Sequence, residues 1–217
     1  MKLVGMLDSP YVRRVAISLQ LLRLRFEHQS LSVFRAFREF EQINPVVKAP
    51  TLICDDGKVL MDSTLILEYA QAVACPRTLM PAELPDLQHT LRVVGLALAA
   101  CEKAVQIIYE RGLRPREKMH EPWITRVTGQ LLAAFGALEE ELNGHPLAAD
   151  STTINQAGIS VAVAWEFTQQ MLPELVPAAN YPRLLAFSNS AEILPEFRAA
   201  PHGDSTYRQR GEFHSLD

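Results

Sequence analysis

Three short stretches carry residue types that can do chemistry on a small ligand: Ser9-Pro10, residues 44–50 (NPVVKAP), and Asp62-Ser63. Ser9 stands just ahead of an apolar run, with Pro10 where a first helical position tolerates it. A helix N-terminus presents unpaired N–H groups and the positive end of the macrodipole, both of which favour an anion. A hydroxyl held there can donate to a bound thiolate and lower the pKa of the thiol. Serine is also a preferred helix cap, so Ser9 alone leaves both roles open. The NPVVKAP run ends in Ala49-Pro50 just before an apolar stretch. A cis bond at Pro50 would turn the preceding residue's N–H and C=O outward as an edge that can pair with a peptide-like ligand, although trans is the usual state. Asp62-Ser63 precedes another helical run, where a hydroxyl and free N–H groups suit a carboxylate and the Asp suits an ammonium. Capping again explains the pair equally well.

The surrounding pattern supplies elements to hold these residues. An apolar run at residues 2–6 reads as a strand, and the segment from Pro10 through Leu22 as a helix. Residues 26–31 alternate weakly, as a second strand would. In residues 33–43, Phe34, Phe37 and Phe40 recur every third residue beside a polar face, which predicts a helix. Asp55, Asp56 and Gly57 join two short apolar runs at 51–54 and 58–61, a hairpin signal. The run after Asp62-Ser63 gives a third helix. Pro76, Pro81 and Pro85 then break both periodicities. These features predict a βαβαββα domain over residues 1–76, a linker at 77–86, and an all-helical domain over 87–217, with helices at 87–111, 123–142, 154–172 and 182–193. The tail after Pro201 is polar, with Tyr207 and Phe213 as its anchors. Thr153 and Gln156 have the spacing of a capping box for the third of these helices.

Composition narrows the function classes. The 217 residues carry a formal net charge of −4, which argues against nucleic acid as a partner. No stretch approaches the ~18 consecutive apolar residues that span a bilayer, and the N-terminal apolar run is too short for a signal peptide. The three cysteines, Cys54, Cys75 and Cys101, are odd in number and widely spaced, which fits a reducing, cytoplasmic compartment. The six histidines show no metal-ligand spacing, so no metal site is expected.

In their order, SPYVR, NPVVKAP and MDSTLILEYA resemble the cytosolic glutathione transferases of the bacterial serine type, and the likeness extends over nearly the whole chain. It implies a thioredoxin-like α/β N-terminal domain followed by an all-α helical-bundle C-terminal domain. It also implies glutathione as co-substrate. Ser9 would stabilise its thiolate, and the backbone of Ala49 ahead of a cis Pro50 would pair with its cysteinyl unit. Asp62 and Ser63 would hold the γ-glutamyl group, with Lys48 beside that contact or simply solvated. Alanine stands at 49 where the family usually has valine, a change that spares the backbone contact. Serine rather than cysteine at 9 disfavours thiol-reductase chemistry. Tyr11 and Tyr109 are candidates for an acceptor pocket, although aromatic residues on helical faces are more often core. The resemblance further implies a homodimer that conjugates glutathione to a small hydrophobic electrophile, as in detoxification. A catalytically weak binding or regulatory protein and a glutathione-dependent isomerase or dehalogenase remain as alternatives.

Overall fold

The computed structural model describes residues 1–207 and divides into two compact units, residues 1–79 with those from 193 onward, and residues 80–192. Phe213 lies outside the described residues.

The first unit is built on a four-stranded mixed sheet, β1 (Lys2–Val4), β2 (Glu27–Gln29), β3 (Thr51–Ile53) and β4 (Val59–Leu60), in the order β2-β1-β3-β4. β1 runs parallel to β2 and antiparallel to β3, with Leu3 opposite both His28 and Leu52. β3 and β4 form the hairpin expected around Gly57, whose positive φ of 82° suits the turn. Helices α1 (Pro10–Leu21), α2 (Phe37–Ile43) and α3 (Ser63–Ala74) complete the predicted βαβαββα order of a thioredoxin-like domain. α1 packs on α3 and buries Val12, Val15, Ile17 and Leu19 completely. Val4, Leu31 and Phe40 form a small core, against which Ala49, Val47 and Ile53 pack.

Three boundaries differ from the sequence expectation for local reasons. α2 starts at Phe37 rather than at residue 33, because the Ser32 hydroxyl accepts from the Phe34 and Arg35 N–H groups and holds a turn there. The helix α4 (Leu84–Gly112) begins inside the predicted linker, with a proline in its first turn, a position where the missing N–H costs nothing. A further helix, α8 (Pro195–Ala199), belongs to the first unit and packs on α1, although sequence order groups it with residues 87–217. The buried Arg13 explains this: its Nε donates to the Ala200 carbonyl at 2.7 Å, and its guanidinium stacks over the Phe197 ring at 5.7 Å. Tyr207 anchors the tail, as predicted, by stacking on Phe26 with ring centroids 4.6 Å apart.

The second unit comprises α4, α5 (Glu121–Gly144), α6 (Gln156–Met171) and α7 (Pro182–Glu192), with α4 packed against both α5 and α6. α6 is the central helix: every residue from 156 to 165 is buried, so no polar face is needed. Phe135, Trp165 and Tyr181 pack edge to face around it. The Thr153 capping box does not form. Asn155 is the cap, its Oδ1 accepting from Ala157 and Gly158 N–H groups at 3.0 and 3.1 Å, and it stands nearer the first turn than Thr153 does. Cys54 and Cys101 are buried, while Cys75, just after α3, is exposed; all three are free thiols. No helix among the described residues is long and apolar enough to cross a membrane.

Candidate functional site

Ser9 is the N-cap of α1. Its backbone is extended (φ −72°, ψ 122°), and its Oγ accepts from the Val12 N–H at a long 3.4 Å. As an acceptor the oxygen satisfies one of the helix's orphan donors weakly, and its hydroxyl proton remains a group it can donate. The preceding Asp8 is half-buried. Burial holds its carboxyl above the usual carboxylate range, and His202, the Ser9 N–H and Arg35 act in the opposite direction.

Gly5 determines how closely the next piece approaches. Its φ is +135°, and a Cβ there would lie 2.7 Å from Val12 Cγ2 and 3.0 Å from Ala49 Cβ. The end of β1, the first turn of α1 and the segment containing Ala49 therefore meet at a point with room only for hydrogen. The Ala49–Pro50 peptide is cis. Ala49 lies just before the paired register, which begins with Thr51 opposite Val4. The loop ahead of it is organised by buried Asn44, whose Oδ1 accepts from the Val46 N–H and whose Nδ2 donates to Thr51 Oγ1 at 2.9 Å. Thr51 Oγ1 in turn donates to the Lys48 carbonyl at 2.7 Å. Asparagine of NPVVKAP is thus the residue that shapes the loop, a role the sequence reading did not assign.

Asp62 caps α3, its Oδ1 accepting from the Thr64 N–H at 2.8 Å. Its other oxygen faces the exposed Lys48 ammonium at 3.8 Å, so the structure brings together two of the residues singled out from separate motifs. At such exposure the pair contributes little stability. Ser63 is buried at the start of α3, and its Oγ accepts from Arg14 Nη1 at 3.3 Å, as does Thr64 Oγ1. Arg14 sits almost fully buried on α1 and ties the first turns of α1's helical partner to α1 itself. The sequence carried a signal for it: two arginines at 13 and 14 inside an apolar helix must each find acceptors when buried. Tyr11 is half-buried on α1 in the first unit, and Tyr109 is exposed near the end of α4 in the second.

Residues 3–74 match the model of the glutathione S-transferase N-terminal domain. An uncharacterised GST-like protein of Escherichia coli, YibF, is 27% identical over 164 residues, covering 76% of this chain and 80% of that protein. A glutathione transferase family member from Pseudomonas fluorescens, solved with bound S-(propanoic acid)-glutathione, superposes with a TM-score of 0.73 at 29% identity over 92% of this chain and 98% of that one. A glutathione S-transferase from Methylobacterium radiotolerans, solved with glutathione sulfonate, shares the fold with a TM-score of 0.82 at 22% identity, covering 92% of this chain and 93% of that one. Residues 3–74, from within β1 through α3, thus carry a glutathione S-transferase N-terminal domain, and the chain is similar over most of its length to glutathione S-transferases.

Proposed function

We propose that the protein binds glutathione on its first unit and activates the thiol for attack on a small hydrophobic electrophile. The observation that carries the reading is the pair of helix N-termini, α1 and α3, each opening on a hydroxyl or carboxylate cap and joined through Arg14. The Ser9 O–H donates to the thiolate, and the α1 terminus adds its field. Both favour the charged form, so the bound thiol ionises at lower pH than it does in water. The thiolate then forms a C–S bond with the electrophile, which either releases its leaving group or takes up a proton after addition. The Ala49 backbone pairs with the cysteinyl unit, beside Pro50. Asp62 holds the γ-glutamyl ammonium through the oxygen that does not bond Thr64, and Ser63 with the α3 N–H groups holds the carboxylate. Lys48 balances Asp62 and orients it. The solved relative with a glutathione conjugate supports glutathione as the ligand.

Three free thiols fit a reducing cytoplasm. A homodimer is supported by α3, which leaves Leu65, Tyr69 and Val73 exposed one turn apart on a single stripe.

The test combines thermal unfolding with and without glutathione and a conjugation assay on wild type and Ser9→Ala. Glutathione is expected to raise the midpoint of both proteins. Ser9→Ala is expected to lower the rate about 10- to 100-fold, the value of a hydrogen bond to a charged group, and to raise the apparent pKa of the bound thiol. Stabilisation by glutathione without turnover would instead identify a binding protein, and equal rates for the two proteins would remove Ser9 from the chemistry.

A further inference from the structure

The histidines, scattered in sequence, are not all scattered in space. His89 on α4 and Glu141 and His145 at the end of α5 bring one ligand atom each to within 4.8 Å of one another, all inside the second unit. Sequence spacing could not reveal this, because the three residues come from two helices that meet only in the fold. We propose that His89, Glu141 and His145 form a binding site for a divalent transition-metal ion of the zinc class.

The donor set is two imidazoles and one carboxylate, which suits zinc and its borderline neighbours better than magnesium or calcium. The geometry points the same way. His89 Nδ1 and Glu141 Oε2 are 3.4 Å apart, long for a charge-assisted hydrogen bond. Two donors on one tetrahedral ion with bonds of about 2.0–2.1 Å stand about 3.3 Å apart, so this pair already has the separation an ion requires. The His145 ring lies with its centroid 4.8 Å from that of His89, tilted by 48°. His145 is exposed, so rotation about its side-chain bonds closes the remaining gap without moving a helix. Its main-chain N–H donates to the Glu141 carbonyl at 2.8 Å, which fixes where the side chain starts.

Arg92 Nε donates to Glu141 Oε1 at 2.6 Å. That bond holds the carboxylate by one oxygen and presents Oε2 to the ion, as supporting hydrogen bonds commonly do for carboxylate ligands. The Arg92 charge opposes a cation and keeps the site from being a tight one. Three protein ligands leave a fourth position for water. The ion would join the first turns of α4 to the last turn of α5 and so brace the helical unit at that end.

The experiment uses the full chain carrying Cys75→Ser, which removes the exposed thiol as a competing ligand. After treatment with EDTA it is titrated with Zn2+ by calorimetry, and the Co2+ form is read by visible absorption for tetrahedral coordination. One ion per chain is expected, with an intense Co2+ spectrum. His89→Gln and His145→Gln should each weaken Zn2+ binding by at least about tenfold, since even loss of a supporting residue costs that much. His120→Gln, outside the cluster, should leave it unchanged. His145→Gln alters only an exposed side chain, so circular dichroism should show it folded. Absence of saturable binding, or binding indifferent to His89 and His145, overturns the proposal, as does an equal loss with His120→Gln.

Discussion

At the scale of single residues, Gly5 shows how a residue without a side chain can govern a site. Its φ of +135° is one that side-chain-bearing residues rarely adopt, and Val12 and Ala49 occupy the space a methyl group would need. Gly5→Ala is expected to destabilise the protein by about 1–3 kcal/mol, measured by denaturant unfolding, because both backbone strain and overlap are introduced. It should also weaken glutathione binding by displacing the Ala49 segment. The positions of Ser9, Ala49, Asp62 and Ser63 at helix starts and a strand edge were legible in the sequence because each lies in a short local motif. Asn44 was not, and Arg14 was legible only as a charge in an apolar helix that must find acceptors, because the partners of the two lie about 7 and 50 residues away in the chain. Long-range acceptors of this kind leave no local pattern.

At the scale of elements, helix periodicity and turn chemistry located the strands and helices well. Their ends were less legible, because ends are decided by single hydrogen bonds. Ser32 delays α2, and Asn155 replaces Thr153 as the cap of α6. α7 carries the idea further. It is capped by a residue from another helix: Glu139 of α5 accepts from the Arg183 N–H through Oε1 and the Leu184 N–H through Oε2, both at 2.9 Å. Pro182 in the first turn removes one of the remaining orphan donors. A buried carboxylate on two main-chain donors and the positive helix end is well compensated. Glu139→Gln keeps one acceptor and turns a donor toward the other N–H. It should cost about 1–3 kcal/mol of stability, read as a lower unfolding midpoint, with the α5–α7 packing loosened first in hydrogen exchange.

At the scale of the whole molecule, the segment that reaches Tyr207 returns to the sheet built from the first residues. His28 Nε2 donates to the Gly5 carbonyl at 2.7 Å, and Nδ1 accepts from the Tyr207 N–H at 2.9 Å. Both bonds hold only for the neutral ring with its proton on Nε2. Burial pushes the His28 pKa below its ordinary 6.5, against the opposing effect of the Gly5 carbonyl. The unfolded chain then takes up a proton near pH 6.5 that the folded chain refuses. The stability His28 contributes is therefore full above that pH and is lost as pH falls from there toward the folded value. Unfolding midpoints measured from pH 8 to pH 5 should fall along this limb, and His28→Gln should flatten it. An unchanged slope would assign the acid sensitivity to other groups. None of this was readable from position 28 alone, since both partners are set by the fold.

Among the described residues one thiol faces solvent: Cys75, at the foot of α3. The protein therefore carries its own rival to any thiol it activates. An electrophile offered in a turnover experiment meets two sulfur nucleophiles, one diffusing in with the co-substrate and one covalently attached, and alkylation of the second consumes reagent without a catalytic cycle. The same accident of exposure gives a single address for a fluorophore or spin label, placed just after the helix that leaves Leu65, Tyr69 and Val73 exposed.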